Sequence, residues 1–213
     1  MKPPNTDEVW TRMTAITPLR DFVADMTRLI SFENNEDGLL TEGKVLLERL
    51  IANDAWLPDA YAEPSPDSYR QNLLWCDPLE RFSLVSFVWG PGQTTPVHDH
   101  TVWGLIGMLR GSETGENFSV AVDGTLTKTG DEVLSPGMVS AVSPTLGDIH
   151  KVSNALVDRP SISIHLYGAN IGAVRRHVFD AETGAPKDFV SGYSNESVPN
   201  LFDRSTEIRN EAC

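Results

Sequence analysis

Between Tyr69 and Phe179 the chain is a succession of nine short segments of alternating or wholly apolar residues, and this limits the fold more than any other feature. The segments are 69–76, 81–89, 97–110, 113–122, 125–133, 139–142, 149–154, 161–167 and 174–179. Turn residues separate them, among them Asp77 and Pro78, Pro91 and Gly92, Asp123 and Gly124, Pro136 and Gly137, and Asp158 to Pro160. Side chains on a strand point to alternate faces, so a period of two marks a strand. Many short strands joined by tight turns predict a closed or double-sheet antiparallel β fold. Ahead of them the sequence reads as helical. Thr17 and Pro18 open a first helix, with Leu19, Phe22, Val23, Met26, Leu29 and Ile30 at helical spacing. A second is expected to start near Thr41, to bury Val45, Leu46, Leu47, Leu50 and Ile51, and to end at Asn53, Asp54 and Pro58. Such helices cover a sheet.

Chemistry concentrates in GQTTPVHDHTVWGLIGMLRG, from Gly92 to Gly111. On a strand, His98 and His100 project from one side about 7 Å apart along the backbone, so both reach one ion. A third histidine, His150, follows a glycine turn in PTLGDIHKVSN. Three neutral imidazoles on one side of an ion leave the other side open, an arrangement suited to redox chemistry at non-haem iron. In SISIHLY, Ser163, His165 and Tyr167 alternate with Ile164 and Leu166 and therefore share a face. Taken alone, such a polar stripe is also what a solvated sheet face carries.

The frame around these histidines resembles the two motifs of the cupins. Gly92, His98, Asp99, His100, Gly104 and Gly111 match the first, with Gly104 where many cupins have a metal-binding glutamate, and Gly147, His150 and Asn154 match the end of the second. Three histidines without the glutamate resemble the thiol dioxygenases of the cysteine dioxygenase family. YRQ, LERFSLVSFVWGPGQ, HDHTVWGLIGMLRG and SISIHLYG are most similar to their bacterial Gln-type subgroup, across roughly residues 69 to 180. That resemblance implies a mainly β cupin barrel, a double-stranded β-helix or jelly roll, with N-terminal helices. It implies Fe(II) on His98, His100 and His150, and a triad in which Tyr167 faces the reactants, His165 orients it and Ser163 fixes the histidine tautomer. The expected reaction adds both atoms of O2 to the sulfur of 3-mercaptopropionate, giving 3-sulfinopropionate; L-cysteine is the alternative substrate. A non-catalytic metal-binding or small-molecule-binding cupin is the alternative of another class. Gln71 stands where animal cysteine dioxygenases carry an arginine for the carboxylate of cysteine, which leaves Arg176, or else Arg175, to take a carboxylate; a surface role for either arginine stays open. Animal relatives also join the tyrosine to a cysteine, which Gly104 replaces here.

The formal charge of −13 on 213 residues disfavours nucleic acid and anionic membranes as partners, since both need a basic patch. The length and 40% hydrophobic content suit a single domain over 1–213, with a helical region to residue 65, a barrel over 69–180 and an irregular tail over 181–213 that wraps the barrel or is partly mobile. No apolar run is long enough to span a membrane, and MKPPNTDEVW lacks the apolar core of a secretory signal, so the cytoplasm is the expected location. Cys76 and Cys213 lie in no ligand pattern. Oligomeric state is left open by the sequence.

Overall fold

The computed structural model describes residues 16–202. Helix α1 (Thr17–Phe32) and helix α2 (Glu36–Ile51) precede eleven strands. These are β1 (Arg70–Cys76), β2 (Ser83–Trp89), β3 (Val97–His98), β4 (Gly104–Arg110), β5 (Glu113–Val120), β6 (Leu126–Leu134), β7 (Val139–Val142), β8 (Ile149–Asn154), β9 (Ser161–Tyr167), β10 (Arg176–Phe179) and β11 (Pro186–Phe189). They form two antiparallel sheets, ordered β1-β2-β9-β4-β7 and β11-β10-β3-β8-β5-β6. This is the double-sheet cupin architecture expected.

Strands β2 and β9 are buried along their whole length. Their even-numbered residues, Leu84, Val88, Ile162, Ile164 and Leu166, join Leu19, Phe22, Met26 and Leu47 of the helices in one apolar cluster. Their odd-numbered residues, including Val85, Phe87, Trp89 and Tyr167, face the other way, into the space between the sheets. The first sheet is thus buried on both faces, with the helices covering the one turned away from the second sheet.

Contact between α2 and this sheet depends on two glycines. A Cβ on Gly107 of β4 would lie 3.0 Å from Ile51 and 3.1 Å from Leu47, and one on Gly43 of α2 would lie 3.2 Å from Leu105. Backbone meets side chain at both places, which leaves no room for a larger residue. Elsewhere α2 is tied down by Glu36, whose Oε1 accepts hydrogen bonds from Ser143 Oγ (2.5 Å) and Thr145 Oγ1 (2.6 Å).

Three expectations change. Helix α2 starts at Glu36, with Asn35 as N-cap and Glu36 and Asp37 in its first turn, not near Thr41. Acidic residues suit a helix N-terminus, and the glycine at 38 is tolerated because packing outweighs propensity. The earlier start moves the buried stripe to Leu39, Leu40, Gly43, Leu47, Leu50 and Ile51, while Val45 is exposed. The segment 97–110 is two strands separated by a turn at 99–103, where Thr101 adopts φ 60°. The segment after Asp180 is more regular than expected: β11 pairs with β10, and 194–195 hydrogen-bond along β1, with Ser194 N to Gln71 O at 2.8 Å and Asn195 Nδ2 to Leu73 O at 2.9 Å. This covers an otherwise open sheet edge.

Replacing Gly107 by valine should push Leu47 and Ile51 away and cost about 1–3 kcal/mol, the usual range for overpacking a filled core. Denaturant unfolding followed by circular dichroism checks this, with the spectrum of the folded state unchanged.

Candidate metal centre

Two strands and a turn bring the histidines together. His98 on β3 pairs in register with His150 on β8, and also with Val178 on β10. His100 lies beyond the end of β3, in the turn. The rings meet at centroid distances of 5.0 Å (His98 to His100), 4.8 Å (His98 to His150) and 4.8 Å (His100 to His150), and their ligand nitrogens lie within 4.8 Å of one another. A continuous strand is therefore not what aligns His98 with His100.

The turn is held from both sides. Asp148 accepts hydrogen bonds from the backbone N–H of His100 (3.1 Å) and of Thr101 (2.8 Å). Its carboxylate (3.0 Å) and its carbonyl (3.1 Å) also receive His100 Nδ1. Gly147, at φ 138°, sets the chain direction just before it. On the opposite side Asp99 accepts from the backbone N–H and the Nδ1 of His177, both at 2.7 Å.

These bonds fix tautomers. A carbonyl only accepts, so His100 Nδ1 carries the proton, and so does His98 Nδ1, 3.1 Å from Pro96 O. Each Nε2 lone pair is then free for the cluster, and His100 Nε2 is buried with no hydrogen-bond partner. A buried acceptor left unmatched is costly unless a ligand completes it. Burial, reinforced by the charge of His100, lowers the pKa of His98 to about 3, and burial with both neighbouring histidines holds His150 well below the usual imidazole range. His98 and His150 are therefore neutral at ordinary pH, the form that binds metal. Donor type, orientation and protonation all fit a metal ion.

Beside this cluster stands the polar stripe of β9. It faces the inter-sheet space, not solvent. Ser163 Oγ lies 2.8 Å from His165 Nε2, and His165 Nδ1 lies 2.8 Å from the Tyr167 hydroxyl. The Tyr167 ring stacks at 5.6 Å from that of His100. Burial raises the Tyr167 pKa, so the phenol is neutral, and burial with the nearby histidines holds His165 well below its usual value. Gly104 is what lets Tyr167 sit there: a Cβ on it would be 2.8 Å from Tyr167 Cδ1. The ring fills the volume that a glutamate at 104 would need, so a metal-binding acid at that position and this tyrosine exclude each other.

A cavity of about 180 Å³ joins these groups; Tyr69, Gln71, His98, His165, Tyr167 and Arg176 are on its wall. Arg176, only 4% exposed, opens β10. Its guanidinium lies 4.7 Å from the Phe189 ring centre, one nitrogen donates to Ser191 Oγ at 2.7 Å, and Nε has no partner. Among the described residues no carboxylate pairs with it. Arg175, in contrast, is exposed and bound to Asp188 at 3.1 Å. Gln71 Nε2 donates to the same Ser191 Oγ (3.1 Å) and to Gly192 O (3.1 Å), so Gln71 and Arg176 are neighbours and do not lie on opposite sides of the cavity. Sequence reasoning missed Asp148 and Ser191. The first had a signal, an acid two residues before His150 behind a glycine; Ser191, in a tail over a hundred residues from Gln71, had none.

Known proteins resemble this chain in sequence. The family model described as cysteine dioxygenase type I matches residues 50–180. Among curated proteins, cysteine dioxygenase type 1 of Bos taurus is 25% identical over 194 residues, covering 88% of this chain and 94% of its own. The Rattus norvegicus protein of the same name is 27% identical over 195 residues, with the same coverage. Among solved structures, an uncharacterized conserved protein with a double-stranded beta-helix domain from Klebsiella pneumoniae superposes with a TM-score of 0.41, at 20% identity, over 54% of this chain and 89% of its own.

Two outcomes are expected. The folded chain should bind about one metal ion, and His150→Ala should lose it while unfolding cooperatively, as read by metal analysis beside circular dichroism. Intact-mass measurement should give the unmodified chain, because the tyrosine ring faces Gly104 and Cys76 lies on β1 with its thiol toward Asp77 O. A loss of two hydrogens mapped to a Tyr167 peptide would contradict this.

Proposed function

We propose, from the premise that this chain belongs to the cysteine dioxygenase type I family, that it is a non-haem iron(II) dioxygenase of small thiol carboxylates, converting 3-mercaptopropionate to 3-sulfinopropionate. Thiol dioxygenation makes it an oxidoreductase. The observation that carries the substrate class is Arg176, a buried cation that has no acidic partner among the described residues and lines the same cavity as His98 and His150. A buried charge requires compensation, and a substrate carboxylate supplies it.

Bound iron(II) would supply the redox chemistry that lets dioxygen react with sulfur, and its positive charge, undiminished by three neutral ligands, favours the thiolate over the thiol. The reaction balances as thiol plus O2 giving sulfinate plus one proton, the electrons lost by sulfur being those that dioxygen gains. The residues of the chain provide the rest. His98, His100 and His150 would hold the ion. Arg176 and Ser191 take the carboxylate, fixing the distance from it to the sulfur. The Tyr167 hydroxyl, oriented by His165, presents a hydrogen bond to the reacting groups. Tyr69, Phe87 and Trp89 close the wall with aromatic rings, Tyr69 to Trp89 at 4.7 Å and Phe87 to His165 at 4.2 Å, and limit water near the developing charge.

L-Cysteine to cysteine sulfinate is the second reading, favoured by the names of the curated relatives. Gln71 counts against it. Cysteine carries its carboxylate at the same distance from the sulfur as 3-mercaptopropionate and adds an α-ammonium group, and a neutral amide at 71 cannot make the bidentate charged pair that an arginine there would make.

Oxygen uptake by iron-loaded protein with a panel of thiols tests the assignment. Catalytic efficiency is expected to be higher for 3-mercaptopropionate than for cysteine. Arg176→Ala should cost roughly 2–5 kcal/mol for 3-mercaptopropionate, the range for one partner of a buried charge pair, or about thirtyfold to several thousandfold in kcat/KM. Cysteamine, which lacks a carboxylate, should lose far less. An equal loss for cysteamine would assign Arg176 to structure.

A further inference from the structure

On the far side of the Ser163, His165, Tyr167 chain from the metal, Glu113 is buried at the start of β5 with 1% exposure. Its carboxyl oxygens have no hydrogen-bond partner as the side chains stand. No lysine or arginine lines the second cavity, of about 230 Å³, that Glu113 borders between β5, β6, β7 and β8. The cavity's rim, at Thr129 and Leu146, is exposed, and His150 and Val152 border both this cavity and the substrate cavity. Burial pushes the Glu113 carboxyl up to about 8, and the hydroxyls of Ser163 and Ser161 and the indole of Trp89 oppose this by favouring the carboxylate. The other titratable groups on this cavity are Glu132, Asp148 and His150. His165 lies beyond Ser163, and the Tyr167 hydroxyl feels the charge of Glu113 from further along.

We infer that Glu113 is a positioning residue that sets the direction of the hydrogen-bond chain through Ser163 and His165, and thereby decides whether Tyr167 offers the metal cavity a proton or a lone pair. The inference deepens the proposed function, since the role of Tyr167 in turnover rests on that reading.

The argument is one of counting protons. His165 is held neutral by burial, so it has a single N–H. Ser163 has one O–H and also accepts from Trp89 Nε1, a donor only, at 3.4 Å. When Glu113 is protonated it donates to its neighbour Ser163 Oγ. Ser163 must then donate to His165 Nε2, the proton of His165 sits on Nδ1, and His165 donates to the Tyr167 oxygen. The Tyr167 O–H is left free to point into the cavity. When Glu113 ionises, every link reverses: Ser163 donates to the carboxylate, His165 Nε2–H donates to Ser163, and Nδ1 accepts the Tyr167 O–H. The tyrosine then has only lone pairs for the reactants. Each proton shifts by one bond toward Tyr167, the proton counts of Ser163, His165 and Tyr167 stay the same, and the proton that Glu113 gives up is balanced by the one that leaves the Tyr167 hydroxyl into the substrate cavity.

The test follows the His165 tautomer by NMR of isotope-labelled histidines in the full chain carrying diamagnetic zinc, titrated through the pH at which Glu113 ionises. In the wild-type chain the proton of His165 should move from Nδ1 to Nε2 as pH rises through about 8. In Glu113→Gln, which does not titrate, His165 should keep one tautomer throughout. Ser163→Ala should also abolish the response while the Glu113 carboxyl band in the infrared spectrum still titrates, which separates coupling from a folding defect. In the iron-loaded enzyme, wild-type kcat should fall about tenfold per pH unit above that ionisation, and Glu113→Gln should lose this limb. A His165 tautomer that does not change in the wild-type chain, or changes equally in Glu113→Gln or Ser163→Ala, overturns the inference. A coupled tautomer in a chain without thiol dioxygenase activity would instead refute the proposed function alone.

Discussion

Everything at the site depends on β9 being buried on both faces. A central strand normally carries apolar residues on both sides. In SISIHLY only the even positions are apolar, and they hold the helices, while the odd positions place a serine, a histidine and a tyrosine in a dry interior. Buried polar groups must be paired. Because each of these has its neighbour at hydrogen-bond distance, the stripe is a wire with defined ends: the tyrosine beside the metal histidines, the serine near Glu113. The helices at the other face matter for function in this indirect sense, since they hold the strand that carries the wire.

Space is rationed around that strand. Gly107 and Gly43 let α2 lie close against the sheet, and Gly104 lets the Tyr167 ring occupy the place where a longer side chain would project. The two roles differ. At 107 the missing side chain serves packing; at 104 it serves the choice of ligands, because a tyrosine there and an acid on the metal cannot coexist. The three-histidine set and the triad are thus one structural decision.

Charge is distributed with equal economy. The chain carries a formal charge of −13, yet Arg176, a cation with no acidic partner among the described residues, borders the cavity beside the histidines, and an acid, Glu113, borders the second cavity. Each is expensive to bury. Arg176 is supported by the Phe189 ring and Ser191, whereas burial pushes the Glu113 carboxyl up toward its neutral form. Among the described residues no helix is long and apolar enough to cross a membrane.

How much of this was legible in the sequence follows from the range of the interactions. Strands of period two, glycine-framed turns and the spacing of His98, His100 and His150 are local patterns, and local sterics and hydrophobic alternation determine them without help from distant residues. The alternation in SISIHLY likewise fixed which side chains share a face, but not which face is dry; only packing of the helices on the even side decided that. The break after His98, which makes His100 a turn residue, depended on Asp148 reaching from another segment to bind two backbone N–H groups. The start of α2 at Glu36 depended on anchorage to Ser143 and Thr145. Ser191, which joins Gln71 to Arg176, sits in a segment whose composition resembles a loose tail, and Glu113 reads in the sequence as one more charged residue on an outer strand. The sequence made the candidate metal ligands and the strand set legible, because each histidine and each strand sits in its own short glycine-framed pattern. The surroundings that give those ligands their protonation, their orientation and a pocket come from segments far apart in the chain, and only the tertiary structure decided them.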